Sequence, residues 1–127
     1  MIQFLKNHIS FEDERGIMKG IINFGKWEEL NFFRTKQNQI RGLHYHKVTD
    51  ELFIILKGKI IIELSSVNFK GQLIGESKSI LVKKDDVFII PKNTYHIFKI
   101  IEDSEWINAL SQKIESENPD IHKIINS

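Results

Sequence analysis

Two of the five histidines in this 127-residue chain, His44 and His46, stand one residue apart in the stretch IRGLHYHKVTDELFIILKG. In an extended strand successive side chains alternate between faces, so both imidazoles share one face, about 6–7 Å apart at the backbone for a rise of roughly 3.3 Å per residue. That separation lets two ring nitrogens converge on one ion at the roughly 2.0–2.1 Å of a metal–nitrogen bond. Glu51 follows after the polar break KVTD, which can turn the chain so that the carboxylate rejoins the same face. A fourth donor, His96, stands in PKNTYHIFKI, five residues after Pro91 and at the start of an apolar run. Three imidazoles and a carboxylate make an N/O set that suits Zn, Fe, Mn, Ni or Cu without selecting among them. The same residues also allow metal-free chemistry. Imidazoles titrate near neutrality, and two on one face can relay a proton. Arg41 precedes His44 by three residues, so strand parity puts it on the opposite face unless Gly42 bends the chain. Turned inward, its guanidinium could hold a phosphate through paired hydrogen bonds.

These residues need a scaffold, and the sequence predicts a β-rich one. Short runs rich in Ile, Phe and Val recur between turn residues: GIINFG, LNFFRT, RGLHYH, ELFIIL, KIIIEL, SILV, DVFIIP, HIFKII and WINAL. That composition and spacing favour strands over helices. Lys57-Gly58-Lys59 reads as a hairpin turn, and Lys83 to Asp86 forms a second polar break. Many closely spaced short strands indicate an all-β sandwich or barrel. The end of the chain reads differently. In SENPDIHKIINS, Asn118 is an N-cap candidate, Pro119 suits a first helical position, and Ile121, Ile124 and Ile125 fall on one helical face. A short C-terminal helix packed on the sheets is the expectation there, with His122 on its surface.

Length and composition narrow the function. The 127 residues predict a single domain, 1–127, with a core of its own. Lys plus Arg number 18 and Asp plus Glu 17, a net charge of +1, which argues against a nucleic-acid partner. There is no cysteine, which excludes thiol catalysis, zinc–thiolate sites and disulfides. No apolar run approaches the roughly 18 residues of a membrane span. The N-terminal MIQFLKNHISFEDERG carries acidic residues and no apolar signal core, so a cytoplasmic protein without a membrane partner is expected. MIQFLKNHISF is apolar enough to join a neighbour's sheet, and a homodimer is the expected assembly.

HYHKVTDELFIILKG resembles the first motif of the cupin superfamily. That motif is His-x-His, a glutamate and then a glycine, here His44, His46, Glu51 and Gly58. DDVFIIPKNTYHIFKI resembles the second cupin motif at Pro91 and His96. It departs where Asp85 and Asn93 replace glycines and Ile100 replaces an asparagine. Asn38 likewise stands where the first motif usually opens on glycine. The resemblance implies a jelly-roll β-sandwich. FEDERG followed by IRGLHYH is similar to the nucleotide-sugar branch of the superfamily: the 3,5-epimerases and 3,4-ketoisomerases of dTDP-4-keto-6-deoxyhexoses, and the zinc-binding cupin domain of capsular-sugar reductase/epimerases. The last also matches HYH, Glu51, His96 and the NPD of residues 118–120.

The resemblance implies an isomerase or epimerase that moves protons beside the ketone of a sugar nucleotide, in deoxysugar or surface-polysaccharide synthesis. Two mechanisms fit. In one, His44 takes the proton, as the first motif histidine of the epimerases does, and His46 assists or returns it, as the paired ketoisomerase histidines do. In the other, His44, His46, Glu51 and His96 hold a divalent metal, zinc or another transition ion, that stabilises the enediolate. The base then falls to Tyr95 or Tyr45, because a ligated nitrogen has no free lone pair. Arg34 and Arg41 are candidates for the nucleotide diphosphate, with Tyr45 beside them, and Trp106 or Phe33 could stack on the base. No organic cofactor is expected. The alternatives are another metal cupin, such as an oxygenase or simple-sugar isomerase, and a non-catalytic sugar-binding cupin.

Overall fold

A computed structural model describes residues 1–124. Eleven strands run in chain order: β1 (Gln3–Phe4), β2 (Ile9–Asp13), β3 (Gly16–Gly20), β4 (Glu29–Thr35), β5 (Ile40–His44), β6 (Glu51–Lys57), β7 (Lys59–Val67), β8 (Leu73–Lys83), β9 (Val87–Ile90), β10 (Thr94–Ile100) and β11 (Ser104–Leu110). They form a five-stranded sheet of order β1-β9-β6-β11-β4, a four-stranded sheet of order β5-β10-β7-β8, and the separate hairpin β2-β3. All the named pairings are antiparallel. The expected all-β architecture is therefore present.

The core follows from strand parity. Phe53 and Ile55 of β6, Ile60, Ile62 and Leu64 of β7, Phe98 and Ile100 of β10, and Trp106 of β11 form one buried cluster with Val82, Phe88 and Ile90. Burying each such aliphatic or aromatic side chain contributes about 1.5–3 kcal/mol. The opposite faces of β6 and β11 are covered too. Leu52, Val87, Ile89 and Ala109 form a second cluster against Leu5, Ile21, Ile22, Trp27 and Ile54. Burial on both faces explains why β6 reads as an unbroken apolar run rather than an alternation.

Two expectations are corrected. GIINFG does not form a strand beyond Gly20. Its Ile21 and Ile22 lie outside the strands and pack on the outer side of the five-stranded sheet. The expected C-terminal helix is absent as well: among the described residues there is no helix, and residues 118–124 contain a single β-bridge, His122 to Tyr45. Ile125, the last residue of the expected helical face, lies outside the described residues. The physical reason is local competition. Tyr45 and His122 exchange two backbone hydrogen bonds of 3.0 Å, and Asp120 spends its carboxylate on another part of the chain, where a helix could not follow.

Both sheets grade from apolar to polar along their inner faces. On β10 the inward series is Ile100, Phe98, His96; on β6 it is Ile55, Phe53, Glu51; on β11 it is Trp106, Asn108. The polar ends meet at the same end of the sandwich, because β10 pairs with β5 at His96–His44 and β11 pairs with β6 at Leu110–Glu51.

Candidate active site

His44 enters the site through a break in β5. Gly42 has φ +91° and Leu43 has φ +62°, and the β5–β10 register shifts between His96 and Ile97. Leu43 is the extra residue of a β-bulge. The insertion inverts side-chain parity on one side of it, so Arg41 and His44 line the same cavity although three residues apart. Gly42 is required there: a Cβ would lie 2.6 Å from the carbonyl oxygen of His96.

The cavity has a volume of about 500 Å³. His44, His46, Glu51 and His96 share its wall, with Phe33, Phe53, Phe98 and Trp106 supplying apolar surface. The ligand atoms of the four polar residues all lie within 4.8 Å of one another. His46 Nε2 is 2.7 Å from Glu51 Oε1, and His96 Nε2 is 3.5 Å from the same oxygen. The His44 ring stands edge-on to both others, at centroid distances of 4.9 Å from His46 and 4.7 Å from His96.

The outer partners set the tautomers. His46 Nδ1 faces the backbone carbonyl of Asp120, and His96 Nδ1 lies 3.1 Å from the carbonyl of Thr94. A carbonyl only accepts, so each Nδ1 is the donor there and each ring turns its Nε2 toward Glu51. Asn108 Nδ2 donates to Glu51 Oε2 at 2.9 Å and fixes the carboxylate. His46 Nε2 and Glu51 Oε1 are both buried, and despite their 2.7 Å separation their angles do not make a hydrogen bond. Three ring nitrogens and a carboxylate oxygen converging within 4.8 Å are what a metal ion requires. Imidazoles anchored through the second nitrogen are the usual ligand support. The donor set therefore fits a divalent transition metal.

Without an ion, the protons distribute unevenly. Burial, with the neighbouring His96 and His46, pushes the His44 pKa down to about 4. Burial also lowers His96, and the Glu51 charge does not fully offset it. For His46, burial lowers the pKa, but the Glu51 carboxylate outweighs it and the net shift is upward. Burial of Glu51 favours its neutral form, yet the His46 contact and the three imidazoles bring its pKa below the usual range. The apo cluster thus favours a His46–Glu51 ion pair, while burial disfavours charge on His44 and His96.

The remaining sequence candidates divide. Arg41 lies in the cavity wall, with Nε donating to Thr35 Oγ1 at 2.8 Å and the guanidinium 5.1 Å from the Phe33 ring centroid. Phe33 and Trp106 stack on each other at 5.2 Å, and both line the cavity. Arg34 is not part of the cavity; it lies on the other face of β4 and pairs with Glu105 at 3.2 Å. Tyr45 is buried and Tyr95 half-buried, each on the face opposite its neighbouring histidine, and neither lines the cavity. Neither phenol is placed to serve as the base. Two residues escaped the sequence reading: Asn108, which orients Glu51, and Asp120, which meets His46. Asn108 left a faint signal as the lone amide in the apolar strand WINAL. Asp120 lies 74 positions from His46; the NPD match marked the residue, but nothing local gave its contact with the ring.

A sequence model of a family described as polysaccharide biosynthesis C-terminal domain matches residues 11–120. Among curated protein sequences there is no match. Solved structures do match. A 3,4-ketoisomerase from Helicobacter canadensis superposes with a TM-score of 0.76 at 19% identity, covering 94% of this chain and 88% of that one. The dTDP-6-deoxy-D-glucose-3,5-epimerase of Legionella pneumophila, solved with dTDP-4-keto-L-rhamnose, gives 0.70 at 17% identity, covering 93% and 76%. The capsular polysaccharide assembling protein CapF of Staphylococcus aureus gives 0.67 at 21% identity, covering 93% of this chain and 34% of that one. The shared architecture is the cupin-type fold implied by the two sequence motifs.

Proposed function

This chain belongs to the polysaccharide biosynthesis C-terminal domain family, and from that premise we propose that it is a nucleotide-sugar isomerase or epimerase, moving protons beside the ketone of a 4-keto-6-deoxyhexose nucleotide. The observation that carries this reading is His44. Its imidazole stands on the wall of a largely apolar cavity and is kept unprotonated by burial and by its neighbours. A C–H next to a ketone is weakly acidic, and a positioned neutral imidazole can take that proton. The resulting enolate needs stabilisation. The protonated His46 of the apo cluster can supply positive charge and return a proton. Return to the neighbouring carbon moves the ketone; return to the other face of the same carbon inverts it.

His44, His46, Glu51 and His96 are within reach of one divalent ion, and His46, Glu51 and His96 alone would suffice to hold it. When bound, such an ion would act as a Lewis acid on the ketone oxygen. A three-donor set leaves His44 free to move protons, which is the arrangement favoured by its being the least buried of the four. Arg41 is the group we assign to the diphosphate. Its Nε is held by Thr35 and its plane by Phe33, which leaves the Nη edge for paired hydrogen bonds to an anion. The stacked Phe33–Trp106 pair offers an aromatic wall beside it. We place the enzyme in the cytoplasm as a single-domain homodimer.

The test is turnover of dTDP- and UDP-linked 4-keto-6-deoxyhexoses in deuterated water, read by NMR. Deuterium should appear at C3 or C5, or at C4 where the ketone moves, and His44→Asn should slow its entry about 10²–10⁴-fold, the usual worth of a positioned acid–base group. Absence of wash-in with every such substrate, together with no melting shift from dTDP or UDP, would remove the proposal.

A further inference from the structure

The segment that follows β11 returns to the cavity. Ile114 and Ile121 contribute to the cavity wall. The strap is pinned on one side by Ile114 N–H donating to Glu29 Oε1 at 3.0 Å. On the other side Asp120 gathers the turn that carries His46. Its Oδ1 accepts from Lys47 N–H at 2.8 Å, and its Oδ2 accepts from Val48 N–H and Thr49 Oγ1, each at 2.9 Å. His122 Nε2 lies 2.8 Å from Oδ1. The backbone carbonyl of the same residue meets His46 Nδ1. One residue therefore holds both the turn and the ring that leaves it.

We infer that Asp120 is a positioning residue: its carboxylate locks the 47–49 turn to the strap, and that lock sets its own carbonyl against His46 Nδ1, so that Nε2 is the ring nitrogen turned toward Glu51. The inference concerns the site on which the proposed function rests, but it does not require that a metal binds or that the substrate is a sugar nucleotide. Asp120 touches neither reacting atoms nor ligand. It acts through His46. Free imidazole in water has no such constraint, and nothing else described at His46 presents an acceptor to Nδ1. Partners of this kind around a metal-binding histidine are worth roughly 10–100-fold in metal affinity.

The experiment compares the full-length chain with Asp120→Ala and with Gln112→Ala. The second variant removes a different strap contact, Gln112 Nε2 to the Val48 carbonyl at 3.2 Å, which does not meet the ring. Imidazole ¹⁵N shifts of histidine-labelled, chelator-treated protein are read at a pH where His46 is neutral. The wild type and Q112A should show His46 protonated at Nδ1. D120A should show a mixture shifted toward Nε2–H. A D120A spectrum identical to wild type, or a wild type without the Nδ1–H form, overturns the inference. If D120A does not fold, Asp120→Asn keeps one acceptor oxygen and should give a partial shift, with no shift again overturning it. Zinc affinity is measured in parallel by chelator competition. D120A should bind about 10–100-fold more weakly and Q112A within about threefold of wild type. Equal zinc affinity in wild type and D120A counts against the inference. A wild type that binds no zinc but shows the expected tautomer pattern overturns the metal reading and leaves Asp120 in its positioning role.

Discussion

Because the four clustered side chains hold their protons unequally in the metal-free protein, stability must depend on pH in two opposite ways. His46 has a folded-state pKa above its ordinary value. Its contribution is complete below the unfolded value and is lost as pH rises through the raised one. His44, held at about 4, and His96 shift the other way. The unfolded chain binds their protons near pH 6.5 while the folded chain refuses them, so stability falls as the solution becomes more acidic. Glu51 adds a further loss below the ordinary carboxylate range as its own lowered pKa is reached. Chelator-treated protein should therefore be most stable near about pH 6.5 and weaken on both sides. The His44 share on the acid side is at most about 3 kcal/mol, at 1.36 kcal/mol per pKa unit, and less after screening at a ring that is not fully buried. Urea unfolding across the pH range measures this. In His46→Gln the alkaline decline should vanish while the acid decline stays. A variant that keeps the alkaline decline would assign it to some other group.

Among the elements, the bulge in β5 decides whether the site exists. Gly42→Ala has two costs: a strained left-handed backbone, and a Cβ 2.6 Å from the His96 carbonyl oxygen. Gly75→Ala has only the first, since Gly75 has φ +73° and open space around it. The expected losses in unfolding free energy are about 1 kcal/mol for G75A and about 2–3 kcal/mol for G42A. A denaturation series that finds the two equal would show that β5 and β10 can separate at no cost. The strands themselves were legible, because Ile-, Phe- and Val-rich runs between turn residues have few other ways to bury themselves. The spacing of His44, His46, Glu51 and His96 was legible for the same reason: strand parity is local. GIINFG was misread because apolar residues that cover a sheet look like apolar residues within one. The C-terminal segment was misread because Pro119 and the isoleucine spacing are helix signals that two backbone bonds to Tyr45 and the Asp120 contacts override. The inward turn of Arg41 depended on a bulge that Gly42 permits but does not announce. Asn38, Asp85 and Asn93, which stand where the cupin motifs have glycine, have φ of +67°, +77° and +60°. Asn and Asp are the side chains that best tolerate that region, so these departures preserve the turns.

At the scale of the whole molecule, apolar side chains are left exposed on the edge strand β4 and on the β2-β3 hairpin. Leu30 and Phe32 on the outer face of the edge strand β4 are 71% and 55% exposed, and Phe11 on the β2-β3 hairpin is 54% exposed. Ile9, Ile17 and Met18 on that hairpin are exposed as well. Such surface is what a second copy would cover. Light scattering after gel filtration should give twice the 14.9 kDa chain mass, and Phe11→Glu with Phe32→Glu should give the monomer. A monomeric wild type would end the dimer assignment. Finally, the strap at the cavity has a consequence for synthesis. The carbonyl that orients His46 is made 74 residues after it. At roughly 5–20 residues per second, that is a delay of about 4–15 s. During that interval the strands on which the histidines sit already exist, but the ring has no anchor. The site is completed by a segment that leaves the ribosome well after those strands, so a nascent chain holds the ingredients of a metal trap before it can close one around the wrong ion.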